Sequence, residues 1–344
     1  MLDTRDIKIL LDSIESGVIL LNEDYEVLHA NNLAIDFFGD RILGNQIYSF
    51  IRHQDLIDFI SQGTERNITF QYASNNLAKQ TVDISVVCLD SNQKLLIVDD
   101  RSKEEAFENV RREFVANVSH ELRSPLTTII GFIETLKSGE VEKSKSAQFL
   151  NIIEEESNRM ARLLEDLLSL SKLEINMHQK PDRLIDVRGL LLTVKNALEI
   201  AAKKNEISIS LKDTASITAI LGDSDEITQV FYNLLDNAIK YSEPKSEIVV
   251  LLKDEVFIGE SFVSISIINS GPGISEEHLP RLTERFYRVD KGRSRKVGGT
   301  GLGLAIVKHI LTRHSGQLSI ESLPDKVTTF KVLLPSSNGN ESAK

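Results

Sequence analysis

A single cysteine, Cys88, stands in 344 residues. One thiol excludes an internal disulfide framework and suits a reducing compartment. Long apolar runs are also missing. The best, Gly189–Val194 and Ser85–Leu89, fall far short of the roughly 20 residues that a spanning helix needs. Met1-Leu-Asp-Thr-Arg-Asp lacks a basic start with an apolar segment behind it, so no signal peptide is read there. The expected location is the cytoplasm, with membrane association only through an anchor or partner outside this chain. Positive charge is in deficit: 40 Lys and Arg face 51 Asp and Glu, for a net charge of −11. Such a chain is a poor general nucleic-acid binder. Low-complexity tracts and internal repeats are absent. Apolar residues at 41% and charged residues at 26% exclude disorder as the main state.

Three zones follow one another. In the first, to about Asp100, Ile7–Ile14 reads as a short helix. Gly17–Asn22 and Glu26–Asn31 read as a hairpin turning at Asp24-Tyr25. Leu33–Phe38 and Ser49–Phe59 read as helical pieces, and Ile68–Ala73, Thr81–Leu89 and Lys94–Asp99 as strands. A small α+β domain with an antiparallel sheet is expected. Cys88 falls in a strand-like run and reads as core. His29 and His53 are the histidines available to a haem here, and each reads better as an ordinary side chain.

The second zone is helical. Val110, Phe114, Val118, Leu122, Leu126, Ile129, Ile133 and Leu136 form one stripe in steps of three and four. After a break at Ser138–Ser146, a second stripe runs Phe149, Ile153, Met160, Leu163, Leu167, Leu170. A two-helix hairpin cannot bury both stripes by itself, whereas a dimeric four-helix bundle can. The third zone, from Pro181, predicts helices over Val187–Lys203, Ser224–Tyr241 and Leu302–Arg313. Its strands are expected at Ile207–Leu211, Ile248–Lys253, Phe262–Asn269, Gln317–Glu321 and Thr328–Leu334. That pattern makes a two-layer α/β domain.

Four motifs carry chemistry. Phe114-Val-Ala-Asn-Val-Ser-His-Glu-Leu-Arg-Ser-Pro-Leu-Thr places His120 off the centre of the stripe, free to face solvent. A neutral imidazole is a competent nucleophile, and the carboxylate of Glu121 can take its proton or fix its tautomer. Pro125 removes a backbone donor and should bend the helix near Glu121. In Tyr232-Asn-Leu-Leu-Asp-Asn-Ala-Ile-Lys-Tyr, Asn233 and Asn237 share a helix face with Lys240 nearby. Amide oxygens suit Mg²⁺ and the lysine suits a phosphate. Asn269-Ser-Gly-Pro-Gly-Ile permits close ligand approach at a strand end. Gly298-Gly-Thr-Gly-Leu-Gly-Leu feeds a helix start, a ready phosphate site. It lacks the Gly-Lys-Ser/Thr ending of a Walker A loop and the setting of a dinucleotide fingerprint. Between these glycine motifs, Arg281, Arg285, Arg288, Lys291, Arg293, Arg295 and Lys296 face only Glu284 and Asp290. Such a basic segment suits a flap over a polyphosphate.

In this order the motifs resemble those of two-component sensor histidine kinases. Ser119-His-Glu-Leu-Arg-Ser-Pro-Leu resembles the H box, Asn233–Tyr241 the N box, and Gly271-Pro-Gly and Gly299-Thr-Gly-Leu-Gly the two glycine boxes. Thr283-Glu-Arg-Phe-Tyr-Arg resembles the Phe-containing box and lid. The phrases Phe114–His120, Leu282–Asp290 and Gly292-Arg-Ser-Arg look most like the phosphate-regulon sensor kinases. Leu11–Asn22 with His29-Ala-Asn-Asn is similar to a PAS sensor domain, and Asp100-Arg-Ser102 to the link joining such domains to an output helix. Cys88 lacks the motif of photoreactive flavin-binding PAS domains.

The resemblance implies a multidomain chain: a PAS-like α/β sensor at 1–102, a dimerisation and phosphotransfer hairpin at 103–178, an ATP-binding α/β sandwich at 179–337 and a disordered tail at 338–344. It implies ATP and Mg²⁺ as cofactors, with a homodimer and a response regulator receiver domain as partners. His120 would accept the γ-phosphoryl group, Glu121 would act as base or orienting group, and Ser124 would help position water for dephosphorylating the regulator. Asn233 and Asn237 would hold Mg²⁺, Lys240 would contact phosphate and Tyr241 would pack beside adenine. Asn269, Gly271 and Gly273 would face the base, and Gly299, Thr300, Gly301, Leu302 and Gly303 would shape the lid hinge and phosphate-facing helix start. Two positions depart from the family pattern: Asn269 replaces the usual Asp that accepts from the adenine amine, and Ser124 replaces the commoner Thr. Losing the acceptor's charge costs about 1 kcal/mol, or roughly fivefold in ATP affinity. Two other readings remain: a degenerate kinase serving as a dimeric signalling adaptor, and another ATPase of the same nucleotide fold, which would need no His120 motif.

Overall fold

The computed structural model describes residues 9–50, 60, 67–73, 79–89, 93–139, 142–177, 179–290 and 299–337. Two compact units divide the chain, Met1–Ala116 and Asn117–Lys344. The expected features at His53, most of Ser49–Phe59, Lys291–Lys296 and the tail 338–344 lie outside the described residues.

The first unit is built on a five-stranded antiparallel sheet of order β2-β1-β5-β4-β3. Its strands are β1 (Gly17–Leu21), β2 (Val27–Ala30), β3 (Asn67–Ala73), β4 (Lys79–Cys88) and β5 (Lys94–Asp100). Helix α1 (Asn32–Phe38) packs on β1. Val18, Ile19, Leu21, Val82, Ile84, Val86, Leu96 and Val98 are buried, together with Ala34 and Phe38 of α1. Asn31 locks this corner. Its Oδ1 accepts from the Val18 and Ala34 N–H groups at 2.8 and 3.0 Å, and its Nδ2 donates to the Leu11 and Ser16 carbonyls at 3.0 and 2.9 Å. Cys88 corrects the core expectation, because it is exposed. It shares parity with Val82, Ile84 and Val86, but it ends β4 opposite Lys94, beyond the reach of the core.

Helix α2 (Ser102–Lys137) runs unbroken through Pro125, whose ring is buried. Glu142 precedes α3 (Lys143–Ile175), which completes the hairpin. Phe132 and Phe149 meet across it as a tilted ring pair with centroids 4.8 Å apart.

The remainder of the second unit is a two-layer sandwich. Its sheet has the order β11-β12-β10-β9-β7 and is antiparallel except for β7 with β9. The strands are β7 (Ser208–Asp213), β9 (Glu247–Phe257), β10 (Glu260–Ser270), β11 (Gln317–Leu323) and β12 (Val327–Pro335). Helices α4 (Val187–Lys204), α5 (Ser224–Tyr241) and α6 (Gly303–Arg313) form the second layer, and α3 packs on α6. A short pair, β6 (Leu184–Asp186) with β8 (Ala219–Leu221), went unread in the sequence. Three residues are too few to show a period.

Candidate functional site

Helix α5 starts at Asp223, whose carboxylate accepts from the Asp225 and Glu226 N–H groups. That cap satisfies two of the orphan donors at the helix start. Ile227, Val230, Phe231, Leu234, Leu235, Ala238 and Ile239 are buried. With that face committed to the core, Tyr232, Asn233, Asp236, Asn237, Lys240 and Tyr241 line a cavity of about 910 Å³. The Asn233 Nδ2 donates to the Gly303 carbonyl at 3.4 Å, tying α5 to the start of α6. The Lys240 ammonium lies 2.5 Å from the Asp236 carboxylate. Burial pushes the Tyr232 hydroxyl up, and the Asp236 charge adds to this.

The sheet supplies the opposite wall. Asn269 is only 4% exposed and sits opposite Thr328 on β12. Its amide makes no side-chain hydrogen bond among the described residues, yet it lines the cavity with Gly271, Gly273, Ile274 and Phe330. Gly273 has φ +67°, and a Cβ there would collide with the Leu323 carbonyl.

The third wall is the turn into α6. Gly299, Thr300, Gly301 and Gly303 line the cavity. Gly301 has φ +76°, and a Cβ would stand 2.9 Å from the Phe286 Cα. Leu302 does not line the cavity; it is fully buried. Alternation within the turn sends its side chain into the core while the glycines face the space. Of the basic segment, Arg281 covers the Tyr287 ring at 4.3 Å, and Arg288 lines the cavity.

His120, Glu121 and Ser124 lie on α2, outside the cavity lining. His120 and Ser124 are exposed. Glu121 is engaged: its Oε2 accepts from the Arg159 Nη2 at 2.7 Å and the Arg288 Nη2 at 3.4 Å. Helix α3 also reaches the cavity through Arg162, Glu165 and Asp166. The Thr300 hydroxyl donates to the Asp166 Oδ2 at 2.6 Å. Arg285 pairs with Glu174. None of the α3 residues was legible as a site residue, because each looks like an ordinary polar position on an amphipathic helix.

Asn233 and Asn237 place two amides one turn apart on the cavity side. Mg²⁺ keeps near-octahedral oxygen coordination, typically with few protein ligands and the rest from water and phosphate. The pair fits that role when a polyphosphate supplies the other oxygens. Among the described residues, no three His, Cys, Asp or Glu side chains converge on a metal.

Comparison with known families matches residues 222–338 to the histidine kinase-, DNA gyrase B- and HSP90-like ATPase model, and residues 110–176 to the His Kinase A phospho-acceptor domain. The phosphate regulon sensor protein PhoR of Pseudomonas aeruginosa is 34% identical over 322 residues, covering 92% of this chain and 71% of the relative. The sensor protein kinase WalK of Staphylococcus saprophyticus is 32% identical over 347 residues, covering 97% of this chain and 56% of the relative. The chain thus spans little more than half of that second protein. Among solved structures, histidine kinase ThkA in complex with response regulator TrrA aligns with a TM-score of 0.53 at 22% identity, covering 97% of this chain and 99% of that one. Among the described residues, no helix is long and apolar enough to cross a membrane.

Proposed function

Because the chain belongs to the two-component sensor histidine kinases, we propose that it transfers the γ-phosphoryl group of ATP to His120 and then to an aspartate of a response regulator receiver domain. The observation that carries this reading is the pairing of two features. One cavity collects Asn233, Asn237, Lys240, Tyr241, Asn269 and the turn into α6, while His120 stands exposed on α2, outside that lining.

In the proposed reaction a neutral His120 ring nitrogen attacks the γ-phosphorus, the bond to the bridging oxygen of ADP breaks, and the imidazole proton leaves to a base. Phosphoryl transfer depends on positioning and charge neutralisation. Lys240 and the α6 start would hold the phosphates, and Asn269 and Tyr241 would face the base. Mg²⁺ held by Asn233 and Asn237 would neutralise phosphate charge. Glu121 would accept the proton or orient the ring once released from Arg159 and Arg288. His120 lies outside the cavity lining, so transfer requires the nucleotide to be carried to a His120, on the same chain or on a dimer partner. Ser124 retains a hydroxyl for positioning water, which supports dephosphorylation of the regulator as a second activity. The five-stranded sheet and α1 support a PAS-like sensor over 1–102, and the net charge of −11 speaks against general nucleic-acid binding. The test is phosphotransfer profiling: ATP-charged protein is mixed with purified receiver domains. Label should pass quickly to few of them, and not to versions with Ala at the acceptor Asp. Charged protein that transfers to none of a complete set contradicts the proposal.

A further inference from the structure

The Thr300 end of the cavity already holds an anion of the protein's own. Asp166, on α3, accepts from the Thr300 hydroxyl at 2.6 Å and lines the cavity. Thr300 stands three residues before Gly303, the first residue of α6. No side chain caps that helix from its N-cap position, Leu302; the Thr300 Oγ accepts from the Leu302 N–H at 3.3 Å instead. A helix start of this kind favours negative charge. Burial holds the Asp166 carboxyl above its ordinary value, although the Thr300 hydrogen bond and the Lys240 charge oppose this. The groups that stabilise the Asp166 carboxylate are therefore the groups assigned above to nucleotide phosphates.

We propose that Asp166 competes with nucleotide phosphates for the Thr300 end of the cavity, and so sets the preference of the site among nucleotides by their phosphate number. The inference rests on the nucleotide-site reading. A carboxylate resembles a phosphate oxygen in charge sign and in acceptor chemistry. Two such anions cannot share a partly buried space without repulsion, since Coulomb energies grow as the dielectric falls. A nucleotide with more phosphates places more negative charge against Asp166. ATP is thus penalised most while the Asp166–Thr300 contact holds, and its binding displaces Asp166. The displaced α3 then loses one of its ties to the sandwich. If Asp166 served only as an anchor, its charge would matter equally for every nucleotide.

Calorimetric titration of the full chain with ATP, ADP and AMP in Mg²⁺ tests this, comparing the wild type with Asp166→Asn and Asp166→Ala. Asp166→Asn keeps the shape and removes the charge. It should tighten ATP roughly tenfold, ADP by less, and AMP by no more than about twofold. Asp166→Ala should give the same order. Equal shifts for all three nucleotides, no shift, or weaker ATP binding would overturn the proposal. Failure of every protein to bind ATP would remove the nucleotide site itself, and the inference with it.

Discussion

Asn31 makes four hydrogen bonds from one buried amide, two accepted and two donated. Replacing it with Ala strands backbone groups of β1, of the α1 start and of residues 11 and 16. Each lost buried partner costs about 1–3 kcal/mol, so Asn31→Ala should destabilise the first unit by several kcal/mol in a denaturant melt. His314 gives a pH dependence. Its Nδ1 lies 2.8 Å from the Ile310 carbonyl, and its Nε2 accepts from the Asp223 N–H at 3.0 Å, which fixes a neutral tautomer. Burial lowers its basicity below the ordinary histidine value, although Glu226 opposes this. The unfolded chain therefore takes up the proton first as pH falls. Stability from His314 is complete above about pH 6.5 and is lost as pH drops through the folded value, with a slope of up to about 1.4 kcal/mol per pH unit. Protonation also removes the acceptor for Asp223 and loosens the α5 cap. Urea midpoints measured from pH 7.5 to 5 should fall less steeply in His314→Gln than in the wild type. At this scale the motif residues were legible because each carries its chemistry in its type and spacing. Asp166 and Arg159 were not, because only folding brings them to Thr300 and Glu121.

Helix α2 is fastened to β4 where it begins. The Ser102 N–H donates to the Asp100 Oδ1 at 2.8 Å, and the Ser102 Oγ accepts from the Thr81 N–H at 2.9 Å. The Arg101 N–H donates to the Thr81 carbonyl at 2.8 Å, and the Thr81 hydroxyl bonds Glu105. A displacement of β4 must therefore move the first turn of α2, the kind of shift that carries signals between elements. Asp100→Ala with Ser102→Ala should cost about 1–3 kcal/mol locally and speed amide exchange over Lys103–Ala116. Unchanged exchange there would contradict the coupling. The long helices were legible from their stripes, and α5 matches its expected bounds, Ser224–Tyr241. Strand β9 was expected to stop at Lys253 and instead runs to Phe257. Its turn carries Ile258 at φ +51° and Gly259 at φ +80°, the conformation that Asn-Gly usually takes. An isoleucine gives no turn signal, so the hairpin's reach was hidden.

As a whole, the molecule leaves an apolar face uncovered on its hairpin. Leu126, Ile130 and Ile133 of α2 and Leu164 and Leu168 of α3 are exposed, Leu168 by 63%. Patches of this kind mark interaction surfaces, and a second hairpin would bury them in a four-helix bundle. Leu126→Lys with Ile133→Lys should shift the protein from dimer to monomer in sedimentation, while ATP binding persists, since neither residue lines the cavity. The order of the phospho-acceptor hairpin and the ATPase sandwich was legible along the chain because helical stripes give way there to mixed helix and strand patterns. The contacts between α3 and the sandwich were not, since they join residues far apart in the chain, Ser169 with Gln229 by 60 positions and Thr300 with Asp166 by 134.

The most direct test is incubation of the purified chain with γ-labelled ATP and Mg²⁺ beside His120→Ala. Acid-labile, base-stable label is expected on the wild type and none on the variant, with ATP binding unchanged between them. Equal label on both proteins, or none on a wild type that binds ATP and Mg²⁺ under conditions that charge related kinases, would contradict it.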